Sequence, residues 1–406
     1  MELDRKRWLV IAAGVAANLC SGAAYSFSVF RGAFQARLGC SEPQVALAFS
    51  LSLAFLPVGM ILAGRQADRG RPRPVVAFGG LVFGLGMFLA GSSHSLIWLY
   101  ATFGMMMSLG NGAVYGAIVA SAVKWFPDRR GMASGMVVGA LGLGTLLIAP
   151  LAQHMIASPS LGLLGACRML GTAFWVITLG ASLLIITPPA GYVPSGFNAA
   201  STESDAKSQD LDWRGMLRMP RFWLLYVIYV AGAFPGLMLI SQASPIAQDV
   251  TRLSAATAAL VVSVLGLANA TGRLFWGALS DRIGRFEALM LMFAVTSVVM
   301  FAFVRLANAS AGLVVATLAV GLCYGGYLGT FPSLCADSFG SRYLSVNYGL
   351  LFSAFAVAGI LGPRVGALLK ESTGGYAEGF IVAGGIAAFG LLVAMAGRIA
   401  MRRQNS

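Results

Sequence analysis

The sequence predicts an all-α membrane protein of twelve transmembrane helices, arranged as two pseudo-symmetric bundles of six. Three observations predict it. The 406-residue chain is 58% hydrophobic and 11% charged, with a mean hydropathy of +0.78. A soluble domain carries about 25% charged residues. Apolar stretches of roughly 20 residues, the length that crosses a bilayer as a helix, recur twelve times. Landmarks of the first half return in the second at one fixed offset.

Taken in order, the expected spans are 8–30, 43–63, 75–92, 96–122, 131–157, 164–187, 221–247, 255–279, 286–305, 311–336, 346–369 and 378–400. The first follows a basic start (Arg5, Lys6, Arg7) that resembles a signal-peptide n-region. The apolar run from Trp8 to Phe30 is too long for a cleaved segment, so it reads as an uncleaved span. Glycine and proline are frequent inside the spans, as is usual for transmembrane helices. Short connections are marked by Ser92 to Ser95 and by Leu306 to Ser310. The stretch after Pro188-Pro189 is polar through Ser201 to Asp210 and reads as a linker. Its end, Leu211 to Arg218, suits a short helix on the membrane surface, with Trp213 at the interface. The expected organisation is a first bundle over 1–187, a cytoplasmic linker over 188–220 and a second bundle over 221–406.

The halves are related by a repeat. Gly64 and Asp68-Arg69 after span 2 correspond to Gly277 and Asp281-Arg282 after span 8, an offset of 213 residues. Phe126 and Arg129 correspond to Phe339 and Arg342, and Gly112 and Gly116 to Gly325 and Gly329, at the same offset. Lys and Arg number 28 against 15 Asp and Glu, a net charge of +13. With the N-terminus inside, twenty of the basic residues fall in inner connections. Six, Arg31, Arg37, Arg168, Arg252, Arg305 and Lys370, fall outside. That asymmetry places both termini in the cytoplasm and accounts for the basic balance without nucleic acid. The five cysteines lack paired short spacing, and His94 and His154 sit near outer helix ends. Neither set suggests a disulfide or metal framework, and no cofactor is expected.

Arg273 is the residue that asks most for a function. It lies within the span 255–279 and keeps its proton at any ordinary pH. Its charge in a membrane costs on the order of 2.5–3.5 kcal/mol, so it needs a partner. A substrate carboxylate would be one. Snorkelling toward the end marked by Asp281 and Arg282, roughly 12 Å away along the helix, is the structural alternative. Asn269 is four residues earlier, on the same face.

Gly64-x-x-x-Asp68-Arg69 and Gly277-x-x-x-Asp281-Arg282 resemble the inter-helix loop signature of the major facilitator superfamily. Trp125-Phe126-Pro127-Asp128-Arg129-Arg130-Gly131 through Gly135 is similar to the span 4–5 loop of its monocarboxylate transporter and oxalate:formate antiporter group. So are Phe275-Trp276-Gly277, Phe331-Pro332-Ser333 and Asn347-Tyr348-Gly349. The resemblance covers nearly the whole chain. It implies the major facilitator fold and small organic anions as cargo, with the span 8 arginine, here Arg273, on the carboxylate. It also implies that Tyr25 and Tyr115 face the cavity.

Other residues on the cavity-lining spans complete the candidate site. Asn111 shares a helix face with Tyr115, and Tyr324 and Tyr327 lie on span 10. A buried phenol needs a partner that a substrate oxygen can supply, although tyrosines also serve as packing anchors. Phe331 and Phe352 suit apolar walls. Oxalate-type members carry a lysine where this chain has Phe355. One cation facing a phenyl wall favours a lactate- or pyruvate-like monocarboxylate over oxalate. Arg364 is a rival second cation, but it sits roughly 9 Å from Lys370 at the outer end. A pairing there or snorkelling suits it better than substrate contact. The glycine pairs allow close helix packing.

The resemblance implies proton symport. The residues do not supply an obvious proton carrier, because every acidic group falls in or near a loop, Asp249 and Asp337 closest to the core. Many monocarboxylate carriers have an aspartate where this chain has Asn269, and a span 1 lysine that is absent here. Oxalate/formate-type exchange without proton coupling, or uniport, stays open. An integral-membrane enzyme would need an acid–base or nucleophile cluster within the spans, and a receptor a sizeable soluble output domain. Neither feature is present in the sequence. The expectation is a monomeric, multi-pass secondary transporter of the inner (plasma) membrane, working by alternating access within the lipid bilayer.

Overall fold

The computed structural model describes residues 2–189, 191–195, 197, 210–249, 251–252 and 254–405. Among them every regular element is a helix. In chain order these are α1 (Glu2–Ser21), a 3₁₀ turn (Gly22–Ala24), α2 (Phe27–Leu38), α3 (Glu42–Asp68), α4 (Pro72–Ala90) and α5 (Leu96–Leu99). A π-helical stretch, Tyr100–Met107, joins α5 to α6 (Ser108–Trp125), followed by α7 (Arg130–Ala157) and α8 (Gly162–Leu184). The second half holds α9 (Trp213–Arg218), α10 (Pro220–Asp249), α11 (Ala255–Ile283), α12 (Arg285–Ala307), α13 (Ser310–Phe339), α14 (Leu344–Thr373) and α15 (Ala377–Asn405). Among the described residues, eleven helical stretches are long and apolar enough to cross a membrane. The remaining expected span is α11, 29 residues long and carrying Arg273, Asp281 and Arg282.

Local chemistry explains several boundaries. Ser41 and Gln44 form a capping box that starts α3, satisfying donors that a new helix leaves free. Ser254 accepts from the Thr257 amide at the start of α11. Pro72 opens α4, where its missing N–H is harmless. Gly39, at φ 60°, ends α2 in the left-handed region that glycine tolerates.

The first span is not the continuous helix expected over 8–30. It breaks between Ser21 and Phe27. The cause is a tertiary contact: a Cβ on Gly22 would lie 2.4 Å from the Thr145 backbone nitrogen of α7. The Gly22 carbonyl accepts from Tyr25 N at 3.1 Å and Ser26 N at 3.3 Å, and also from Thr145 Oγ1 at 3.2 Å. Irregular backbone at this depth persists only where such partners exist.

The two halves are clamped at the end that carries the N-terminus. Asp68 of α3 accepts from the Ser345 and Val346 amides at the start of α14, at 3.0 and 3.1 Å, and from Lys124 at 3.2 Å. Asp281 of α11 does the same for α7, accepting from the Gly131 and Met132 amides at 2.8 and 2.7 Å. Each carboxylate sits at the positive end of a helix from the other half. Asp337 joins Arg130 and Arg285 at 2.7 and 2.8 Å. The repeated glycines permit this approach: a Cβ on Gly277 would meet the Gly131 carbonyl at 2.4 Å, and one on Gly64 the Val346 nitrogen at 2.9 Å.

The linker expected over 188–220 lies outside the described residues across 198–209. Its described parts dock on different halves. Just before it, the Ile186 carbonyl accepts from Trp125 Nε1 at 2.7 Å, and within it Tyr192 packs edge-on against Trp125. Beyond the gap, Leu211 N donates to the Phe339 carbonyl and Asn347 Nδ2 to the Leu211 carbonyl. The short surface helix forms as α9, capped by Asp212.

Candidate substrate site

Arg273 is 3% exposed and lies where α11 meets α7. Its Nε donates to Asn269 Oδ1 at 2.9 Å and its Nη1 to the Val138 carbonyl of α7 at 2.8 Å. The first bond is the intrahelical pairing that the four-residue spacing predicts. The second crosses to the other half. A row of glycines on α7 makes room for it: a Cβ on Gly135 would lie 2.5 Å from the Arg273 carbonyl, and one on Gly142 would meet Ala270. Both acceptors are neutral, and neither bond engages Nη2. The guanidinium is therefore held in a fixed plane. Snorkelling does not describe it, because Nε and Nη1 bond within the packed core and not toward the helix end.

Several candidate residues gather around this group. Tyr25, in the break of the first span and half-buried, sets its hydroxyl beside Arg273 and Tyr324. The Tyr324 hydroxyl is buried without a protein hydrogen bond, as are both side-chain polar atoms of Asn111. Tyr115 is buried with its hydroxyl 3.4 Å from that of Tyr348. Its ring packs against Phe352 at 5.6 Å between centroids. Phe352 stacks on Phe355 at 5.0 Å, and Phe355 on Tyr324 at 6.5 Å. Phe331 stacks on Tyr229 at 3.8 Å. These contacts make one continuous aromatic wall with polar groups at its margin.

Tyr327 is placed elsewhere. Its ring packs against Phe293 of α12 at 4.9 Å, and a Cβ on Gly232 of α10 would strike it. Three residues from Tyr324 is about 300° around a helix, enough here to turn it toward the bundle interior. Arg364 is exposed, with no hydrogen bond or ion pair among the described residues. Lys370 pairs with Asp249 at 3.0 Å, not with Arg364. Hydrogen bonds from Tyr376 and then Lys370 hold the Asp249 carboxyl below the ordinary aspartate range.

Sequence reasoning passed over three participants. Tyr229 and Tyr348 belong to the aromatic wall. Asn18, fully buried, donates from Nδ2 to the Val137 carbonyl at 2.7 Å, next to the carbonyl that Arg273 holds. An amide inside an otherwise apolar first span was a usable signal for Asn18, and Tyr348 stood within a recognised motif. Nothing in the spacing shows which way Tyr229 faces.

The comparisons agree with this architecture. Solved structures of a fucose transporter in an outward conformation and of a proton:xylose symporter bound to 6-bromo-6-deoxy-D-glucose share the fold. Their TM-scores are 0.73 and 0.74 at 15% and 13% identity, covering 97% and 96% of this chain and 99% and 95% of theirs. The oxalate:formate antiporter of Oxalobacter formigenes is 30% identical over 370 residues, 91% of this chain and 86% of that protein. Monocarboxylate transporter 13 of Bos taurus is 25% identical over 394 residues, 96% and 89% of the two chains. The family is one of membrane transporters, not of enzymes. The model of the Major Facilitator Superfamily matches residues 11–363, and the chain belongs to that family.

Proposed function

We propose that the protein is a secondary transporter of small monocarboxylates, lactate- or pyruvate-like, and that Arg273 binds the carboxylate. The observation that carries this reading is a buried guanidinium between the two halves whose protein partners are both neutral. A carboxylate is the natural complement of such a group. Asn269 orients it. Tyr25, Tyr324 and Asn111 offer polar contacts to the rest of the substrate, and Phe331, Phe352 and Phe355 with Tyr115 enclose an apolar body. Tyr327, packed against Phe293, stays outside this set. The absence of a second cation at position 355 supports a monocarboxylate over oxalate.

The reading extends to the membrane. The protein is a monomer of the inner membrane, with the two bundles over 1–187 and 221–406 rocking around Arg273. Both termini are cytoplasmic by the distribution of Lys and Arg. The clamped end is then the inner end, and the carrier stands open outward. Proton symport is part of the proposal, with exchange without a proton as the second reading, favoured by the neutral Asn269 beside Arg273. Uptake of labelled lactate into proteoliposomes, with oxalate and formate as competitors, tests the proposal. Lactate uptake that unlabelled oxalate competes for only weakly is expected. Preference for oxalate over lactate refutes it.

A further inference from the structure

The outer part of the first span carries polar groups that the site around Arg273 leaves unused. One stripe of α2, Phe27, Phe30 and Phe34, is buried in an apolar cluster with Phe83 and Phe103. The opposite stripe is Ser28, Arg31, Gly32 and Gln35. With Val29 and with Gln153 of α7 it lines a cavity of about 400 Å³. A Cβ on Gly32 would meet nothing within 4 Å. Ser28, Gln35 and Gln153 have no protein hydrogen bond from their side chains among the described residues. Ser28, Gly32 and Gln35 follow one another at helical spacing on one face of α2, and Tyr25 lies in the break just before it. Tyr25, whose hydroxyl sits beside Arg273, is three residues before Ser28 of this cavity.

Among the described residues Arg31 has one ionic partner, Glu42 at the start of α3, at 2.5 Å, with the two side chains 43% and 57% exposed. An ion pair so open to solvent holds its members weakly. We propose that this cavity is a loading site for a short carboxylate, in which the substrate displaces Glu42 from Arg31 before it passes inward to Arg273. The Gln35 and Gln153 amides and the Ser28 hydroxyl solvate its remaining oxygens. A cation at the mouth of the cleft also raises the local concentration of anions and the rate of entry. The inference rests on the carboxylate reading of Arg273.

Glu42 is then a competitor for Arg31, and this makes the test directional. Initial rates of L-lactate uptake are measured in proteoliposomes of sorted orientation. Arg31→Gln should raise the KM for loading at the face away from the N-terminus several-fold. Glu42→Gln should lower it. Neither variant can move the transport equilibrium, so Vmax/KM at the opposite face should change by the same factor. A purely structural ion pair would be broken equally by either change, so shifts in the same direction, or no shift, overturn the proposal. A second measurement does not need transport. Binding of L-lactate followed by saturation-transfer NMR should weaken but persist in Arg273→Gln, and vanish when Arg31→Gln is added. Loss of all binding in Arg273→Gln alone overturns the loading site and leaves the central reading intact. Binding unaffected by Arg273→Gln but lost in Arg31→Gln supports the loading site and refutes the central one.

Discussion

Replacing Arg273 by lysine keeps the charge and removes the geometry, so it isolates what the guanidinium contributes. In the protein, Nε serves Asn269 at 2.9 Å and one hydrogen of Nη1 serves the Val138 carbonyl at 2.8 Å. Three guanidinium hydrogens, on Nη1 and Nη2, remain for the Tyr25 hydroxyl beside it and for a carboxylate, enough for a two-point pair. A lysine ammonium has three hydrogens in all. If it keeps the Asn269 and Val138 bonds, one remains for substrate. The variant thus loses about one charge-assisted hydrogen bond, about 1.5–3 kcal/mol. That corresponds to a Kd weaker by roughly tenfold to a hundredfold. Isothermal titration of lactate into purified protein measures it directly. The melting temperature of the same sample shows whether the variant is folded. A folded Arg273→Lys protein with unchanged Kd would mean that Arg273 only braces α11 against α7, and the carboxylate assignment would fall.

Three further outcomes are expected. Gly277→Val adds a Cβ that would lie 2.4 Å from the Gly131 carbonyl. Overpacking of that kind costs about 1–3 kcal/mol, so the clamped end should open more often, read as faster labelling of a cysteine placed there; unchanged labelling counts against the clamp. Asp281→Asn weakens the bonds to the Gly131 and Met132 amides and to Arg285. The melting temperature should fall by a few degrees and Asp68→Asn should act alike, whereas no change in either would deny the carboxylates a stabilising role. Asp249 titrates below its ordinary value in the fold, so its contribution is present above about pH 4 and is lost as pH falls through the lowered folded value. Thermal melts should show that loss in the unaltered protein and not in Asp249→Asn; identical acid profiles would contradict the pairing.

The repeat offset pairs Asp68 with Asp281 and Gly64 with Gly277 from the sequence alone, because short polar signals stand out in an apolar chain. What each aspartate holds was not readable: its partners are the amides of helices far away in sequence. Arg273 and Asn269 were legible as a pair because four residues return a helix to one face. The Val138 carbonyl was invisible, since a backbone acceptor leaves no mark on composition. The break after Ser21 escaped for a similar reason: no proline announces it, and Gly22 yields only because α7 presses on it. The π-helical turn at Tyr100–Met107 has no sequence signal that we recognise. Tyr324 and Tyr327 looked equivalent by proximity, yet packing sent one to the aromatic wall and the other to Phe293.

The neutral company of Arg273 has an electrical consequence. Its bonded acceptors are an amide oxygen and a backbone carbonyl, so the group carries an unbalanced elementary charge deep in the protein. Such a charge feels the transmembrane voltage, worth about 2.3 kcal/mol per 100 mV over the full field. A rearrangement that moved it through half of that field would shift by about 1.2 kcal/mol per 100 mV, roughly sevenfold in population. On the proposed monocarboxylate reading, an anion bound without a proton would bring the travelling charge to zero, whereas proton symport would keep it at one. Voltage dependence of the occupied form therefore separates the exchange reading from the symport one.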